Sequence, residues 1–304
     1  MRLLLLAAAL LASLPAHAQL RADGPPVRLF ADDKEALRPT WSPDGAALAF
    51  TRASFAGLWV VAADGLARAL TDAPGVGFGF AWSPDSRAIA ARTTREDGLR
   101  RLHTVAVFGL DGTTQALSDE RGQMPALPRW AGPRHVALAT GSTAEVFGLD
   151  ATARAVPRDA VVLPAGGRLA LADPAAGALR LLDAGGTVLN ATPSPDGRRV
   201  AYELLGGHLF VADLGTGART DLGPGGAPTW SPDGRWLAFS ETQDDGHTLT
   251  AADLVAVRSD GSARVRLTQT PDRLEVDPSW SPDGRRLAFA DAADGALYAL
   301  PIAE

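Results

Sequence analysis

The sequence predicts an all-β fold, a seven-bladed β-propeller of four-stranded blades, on three observations. A ten-residue run recurs along the chain, each copy reads as strand–turn–strand, and the two ends carry complementary fragments of one repeat. The run is WSPDGRRLAF at 280–289, WSPDGAALAF at 41–50, WSPDSRAIAA at 82–91 and WSPDGRWLAF at 230–239. A further copy, SPDGRRVAY at 194–202, has Pro193 where the others have Trp. WAGPRHVAL at 130–138 is one residue shorter in the turn, and VLPAGGRLAL at 162–171 is the most eroded. Repetition at this spacing marks a propeller, solenoid or array.

Each copy has a local reason to turn. Pro presets φ, Asp hydrogen-bonds the backbone two residues on, and Gly accepts positive φ. The run therefore joins two antiparallel strands. After the turn, Leu287 and Phe289 alternate with Arg286 and Ala288, the period of a strand. The small position is alanine in every copy: Ala49, Ala90, Ala137, Ala170, Ala201, Ala238 and Ala288. A sheet covered on both faces by neighbouring sheets needs a small residue where the approach is closest. Turn chemistry accounts for the motif aspartates better than a metal-binding ring does, because each belongs to its own repeat.

The first full unit is predicted to have strands at 39–41, 47–51, 58–62 and 67–71, with Asp64-Gly65 as a turn. The last unit begins at Pro278 and has three strands, ending at 297–300. Val27-Arg28-Leu29-Phe30 reads as the missing fourth, so the N-terminal strand is expected to complete the last blade from outside. A ring closed in this way keeps only short, protected edges, whereas an open solenoid needs capping units. The third and fourth copies, over about 127–157 and 160–191, are compact and read as two short blades. If the fourth is an insertion, the count is six, and six blades is the alternative.

Residues 1–18 read as a signal peptide. Met1-Arg2 is a short positive segment, Leu3 to Leu14 is apolar, and Ala16-His17-Ala18 offers a small-x-small cleavage pattern. Cleavage is expected after Ala18, leaving residues 19–304 as one propeller domain, periplasmic or secreted, with no transmembrane segment. A membrane span needs about 20 apolar residues, more than this run has. The chain has no cysteine, a net charge of −6 and no basic run. Nucleic acid and anionic membrane surfaces are therefore poor partners.

The run W-S-P-D-G-x-x-[LI]-A-[FY], complete at 41–50, 230–239 and 280–289, resembles the WD40-like repeat of the TolB-like β-propeller family, and the repeats cover about residues 27–301. The resemblance implies a propeller in the cell envelope. It does not extend to the α/β domain that precedes the propeller of TolB, for which the stretch between Gln19 and Trp41 is too short. Some TolB-like propellers are lyases that use His and a divalent metal, and others precede hydrolase domains.

Two function classes follow. The first is a non-catalytic periplasmic scaffold, binding another envelope protein or a ligand. The second is a propeller enzyme, lyase- or hydrolase-like, acting in the central channel on a glycan or peptide. No cofactor, metal or catalytic residue is assigned. Binding is expected on the rim that carries the loops between second and third strands. Its charged candidates are Arg95 and Arg101 in 94–102, Asp244, Asp245 and His247 in 242–252, and Arg273 in 271–277. Arg38, Arg129, Asp159 and Asp277, just before their motifs, are expected to border the channel. The arginines suit a carboxylate or phosphate, or else pair with the aspartates across blades. His135 and His208 read as structural. His103 and His247, in different blades, meet only over the channel if they meet at all.

Overall fold

The computed structural model describes residues 19–304 except 63, 125, 141–142, 151–160, 166 and 183, and leaves the side chains of 163–165 undescribed. The leader at 1–18 and Asp159 lie outside the described residues.

The motif turn forms as its chemistry requires. Ser281 Oγ donates to Asp283 at 2.5 Å and accepts the Arg286 amide at 2.9 Å, while Asp283 accepts the Arg285 amide at 3.1 Å. The same Ser–Asp bond, 2.6 Å long, recurs at Ser42–Asp44, Ser83–Asp85, Ser194–Asp196 and Ser231–Asp233. The turn position has φ of 67–72° at Gly45, Gly197, Gly234 and Gly284. In the second copy Ser86 takes it at 61°, and its hydroxyl accepts the Asp44 amide of the preceding blade at 3.0 Å.

These hairpins grow into six sheets among the described residues, arranged as the blades of a propeller. Blade 1 is Ala36–Trp41, Ala47–Arg52, Leu58–Ala62 and Ala67–Thr71. Blade 2 is Phe80–Trp82, Ala88–Asp97, Arg100–Gly109 and Thr114–Ala116. Blade 4 is Val188–Pro193, Arg199–Leu204, His208–Asp213 and Arg219–Pro224, and blade 5 is Gly226–Trp230, Trp236–Asp244, Leu249–Arg258 and Arg264–Arg266. In blade 6, Glu275–Trp280, Arg286–Asp291 and Leu297–Ala303 are completed from outside by Val27–Phe30, with Val27 opposite Ala299 and Arg28 opposite Tyr298. The closure expected from the chain ends is thus present, and Arg21–Ala22 extends it against Ala303 and Ile302.

Blade 3 corrects the count of seven to six. The third repeat supplies Arg129–Trp130, His135–Thr140 and Thr143–Gly148, and the fourth supplies Val161–Ala165, Arg168–Asp173 and Ala178–Leu182. Neither provides a fourth strand among the described residues. Each three-stranded piece therefore has an open outer edge, and among the described residues the two edges pair at Thr143 with Ala178, next to a bond from the Ala144 amide to the Gly177 carbonyl at 3.1 Å. An unpaired edge is a row of unsatisfied backbone groups, and joining two edges removes part of that cost.

Packing between blades explains the conserved spacing within the motif. The seven motif alanines are at most 1 % exposed, and Phe50, Tyr202, Phe239 and Phe289 are fully buried beside them. In blades 2, 3 and 5 the motif tryptophan ties the blade to the one before. Trp82 Nε1 donates to the Thr40 carbonyl at 3.0 Å, Trp130 to Ala81 at 2.8 Å, and Trp230 to Thr192 at 3.0 Å.

Two segments read as loops are strands. Residues 88–97 and 100–109 pair through to Asp97 opposite Arg100, and 236–244 pair with 249–258 through Asp244 and Leu249. Opposite charges face each other near the first tip, Glu96 by Arg101 and Asp97 by Arg100, a pairing that supports an extended hairpin. No described helix is long and apolar enough to cross a membrane.

Candidate functional site

The innermost strands share a defect that builds the channel mouth. In blades 1, 4, 5 and 6 the residue three before the motif Trp position has positive φ: Arg38 at 53°, Asn190 at 47°, Ala227 at 47° and Asp277 at 53°. The ladder slips at each, between Leu37 and Thr40, Leu189 and Thr192, Gly226 and Thr229, and Val276 and Ser279. Such bulges re-aim a side chain and collect beside functional sites. A left-handed non-glycine residue also stores backbone strain. The defects lie at the start of the inner strands, on the rim where the long hairpins of blades 2 and 5 stand, since Leu37 lies opposite Thr51 at the end of its neighbour. Blade 2 has Gly79 at the equivalent place, where a Cβ would lie 2.3 Å from Leu127 Cδ1. Glycine there leaves room for the Leu127 side chain, which lines the mouth.

Two cavities open at this mouth and share Asn190. One, of about 440 Å³, is lined by Arg38, Arg129, Phe78, Leu127, Leu189 and Asn190 among others. The other, of about 450 Å³, is lined by Asn190, Glu203, Glu241, Ala227 and Asp277 among others. The first is cationic and apolar. Arg38 donates to the Phe78 carbonyl at 2.5 Å and lies over the Phe55 and Phe78 rings at 5.0 and 5.8 Å. Arg129 donates to the Pro128 carbonyl at 3.2 Å, and burial pushes its guanidinium pKa down. Arg92 stands behind Phe78, 5.7 Å from the ring, and donates to the Met124 carbonyl at 2.5 Å. Burial lowers its pKa as well. Among the described residues no carboxylate forms an ion pair with Arg38, Arg92 or Arg129.

The second cavity is acidic. Glu203 Oε2 accepts Asn190 Nδ2 at 2.8 Å and the Ala227 amide at 3.1 Å, which fixes two of the four bulges. Glu241 is engaged by Arg264 and Arg266. Asp277 is pushed up by burial, an effect opposed by the Arg38 charge and the Arg38 backbone amide. The expected Arg38–Asp277 ion pair does not form. The two residues occupy equivalent places on adjacent blades, but the guanidinium turns to Phe78.

The other candidates lie elsewhere. Arg95 is held by Glu120 at 2.9 and 2.8 Å on the blade 2 hairpin, and Arg101 lies 3.8 Å from Glu96 near its exposed tip. Asp244 accepts the Gly246 amide, and Asp245 accepts the amides of His247 and Thr248, so both serve the blade 5 turn. His247 is exposed there. Arg273 stacks on Tyr298 at 4.1 Å and pairs with Asp291 at 3.0 Å, both within blade 6. His103 bonds Thr94 Oγ1 at 3.0 Å, and burial with the nearby Arg92 and Arg101 charges lowers its pKa. His135 is buried, and His208 pairs with Asp221 at 3.3 Å. Among the described residues no three His, Asp or Glu side chains come together as a metal-holding group.

Sequence reasoning singled out Arg38, Arg129 and Asp277 by their place before the motif, and all three line the two cavities. It missed Asn190, which occupies the same register before Pro193, and Glu203 and Glu241, which follow the motif aromatic by one and two residues. Phe78 and Leu189 carried no sequence signal of their own.

No protein-family model and no curated protein sequence matches the chain. Many solved structures do. TolB from Acinetobacter baumannii superposes with a TM-score of 0.57 at 15 % identity, over 83 % of this chain and 59 % of its own. An oligogalacturonate lyase in complex with manganese superposes with a TM-score of 0.52 at 16 % identity, over 90 % of this chain and 79 % of its own. The chain thus spans less than two thirds of the TolB chain it resembles. Its repeated WSPDG turns and this structural likeness together make its fold a TolB-like β-propeller.

Proposed function

We propose that this chain is a non-catalytic binding propeller that holds an extended segment of a partner protein across its channel mouth. The observation that carries the reading is the division of the mouth into two adjoining cavities of opposite charge, with Arg38 and Arg129 on one side and Glu203 and Asp277 on the other. Each has the volume of a ligand pocket, about 300–1,000 Å³. Bulged strands hold Arg38 and Asp277, and regular strands hold Arg129 and Glu203, on a rigid ring where a binding constellation is most precise. Export through a leader at 1–18 and a partner in the periplasm or envelope belong to the same reading.

The test is capture from a periplasmic extract by three baits of residues 19–304, read by mass spectrometry. One is unchanged, one carries Arg38→Ala with Arg129→Ala, and one carries Arg95, Arg101, Asp244 and Asp245 changed to Ala. A protein retained by the first and third baits and lost by the second supports the reading. Loss on the hairpin bait alone moves the interface to the hairpin tips and overturns it. So does an empty capture combined with turnover of a glycan or peptide.

A further inference from the structure

The cationic cavity has donors to spare. A guanidinium carries five N–H groups. Arg38 uses one on Phe78 and Arg129 one on Pro128, both neutral carbonyls. Removing polar groups from bulk water without matched partners is unfavourable, and more so for guanidiniums that form no ion pair. Arg129 shows the cost in its lowered pKa. The same cavity has an apolar wall of Leu127, Val188 and Leu189, with Phe78 45 % exposed and Leu189 36 % exposed. An occupant must offer an acceptor pair for a fork of N–H groups and, a few ångströms away, an apolar side chain. A carboxylate meets a guanidinium fork with two parallel bonds.

Asn190 stands at the border with the acidic cavity, its amide already held by Glu203. A chain that leaves the cationic cavity past Asn190 enters one where Glu203 and Asp277 face it without a cation paired to either among the described residues. The charge order along such a chain is therefore set: anion and apolar group at one end, cation upstream.

We infer that the mouth reads the C-terminus of a peptide, with the terminal carboxylate held by Arg38 and Arg129, an apolar last side chain against Phe78 and Leu189, and a basic residue upstream over Glu203 and Asp277. This rests on the binding reading above and names the segment that it takes. A free phosphate leaves the apolar wall unfilled, and an internal peptide segment lacks the carboxylate.

The test uses residues 19–304 and a fluorescein-labelled hexapeptide of alanines ending in leucine, with lysines at its second and third positions, in fluorescence anisotropy. The same peptide is made with a C-terminal amide, with glutamates for the lysines, and with serine for the last leucine. The free acid is expected to bind at least tenfold more tightly than the amide, and each other change to weaken binding several-fold. Arg129→Met keeps the apolar stem and is expected to bring acid and amide within twofold of each other. Glu203→Gln is expected to weaken the preference for lysine over glutamate several-fold and to leave the acid–amide ratio in place. Both variants are checked by thermal melting. The comparison of acid with amide needs no variant, so a misfolded mutant does not decide it. Equal affinity for acid and amide, or no binding of either, overturns the inference. If capture from the extract still depends on Arg38 and Arg129 in that event, the binding reading stands and the C-terminal one falls. If capture is independent of them, both fall.

Discussion

The indole Nε1 of Trp130 donates to the backbone carbonyl of Ala81 at 2.8 Å, across the seam between blades 2 and 3. The bond repeats between blades 1 and 2 and between blades 4 and 5. Around blade 6 it does not, since the buried Nε1 atoms of Trp41 and Trp280 have no hydrogen-bond partner. Trp41 instead lies under Arg286, 4.5 Å from its guanidinium. A typical intramolecular hydrogen bond contributes about 1 kcal/mol net. Trp130→Phe is therefore expected to cost about 1 kcal/mol more than Trp41→Phe, read from urea unfolding midpoints. Equal costs would assign the indole a packing role alone.

The motif turn makes stability sensitive to acid. The Ser281 hydroxyl, followed by the Arg285 amide, holds the Asp283 carboxyl below the usual carboxylate range. Asp44, Asp85 and Asp196 are held down chiefly by the equivalent serine, and at Asp233 the serine and Arg235 outweigh burial. For a lowered pKa the unfolded chain binds protons first as pH falls. The stabilisation is therefore complete above the unfolded value near 3.8 and is lost as pH drops through the folded value. Ser281→Ala removes a buried hydroxyl that both donates and accepts, at an expected cost of about 1–3 kcal/mol at pH 7. That cost should shrink in urea titrations carried toward pH 3.

Asp277 has the opposite sign. Burial raises its pKa, so in the window from 3.8 up to the folded value the native state holds a proton that the unfolded chain has released. Stability from this group is present below 3.8 and declines as pH rises through the window. Asn carries no charge and tolerates the left-handed backbone at this position. Asp277→Asn should raise the urea midpoint at pH 7 and lose its advantage near pH 3.5. A lower midpoint at pH 7 would show that the Arg38 interaction outweighs the cost of burial.

Blade 3 should open before its neighbours. Among the described residues its halves pair at Thr143 and Ala178 and share one bond beside that pair, from the Ala144 amide to the Gly177 carbonyl, whereas the central strands of blade 2 pair at ten positions. Local opening follows the weakest paired units. In hydrogen exchange the amides of 178–182 should lose protection faster than those of 199–204 in blade 4, by a factor of ten or more. Equal protection would mean that packing, not pairing, holds this sheet.

The fold was legible because the motif carries its own turn. A serine, a proline, an aspartate and a glycine specify the hairpin, and the alanine after it specifies close neighbours on both faces. The blade count was less legible. Counting motifs counts hairpins, and it cannot tell whether two three-stranded pieces stand apart or share an edge, as those holding Thr143 and Ala178 do. The hairpins at 94–102 and 242–252 were misread because their charged outer residues resemble a loop, although cross-strand pairs such as Glu96 with Arg101 are what let a strand project into solvent. The mouth was half legible. Arg38 and Asp277 were found by position, but their turn away from each other depends on a bulge and on Phe78, and neither leaves a pattern in one sequence.

The closing strand also has a kinetic consequence. Arg28 bonds the hydroxyl of Tyr298 at 3.4 Å, a partner 270 residues away. Strands that pair across such a separation form late, because the entropy of closing the loop is lost before any contact repays it. During synthesis the first blades can assemble while the strand at 27–30 waits, unpaired, for residues 297–303 to appear. Completion of the ring then becomes a checkpoint on the last blade. A product truncated within its last strand keeps most of its blades but has nowhere to dock its first strand, so two exposed edges would mark it as unfinished.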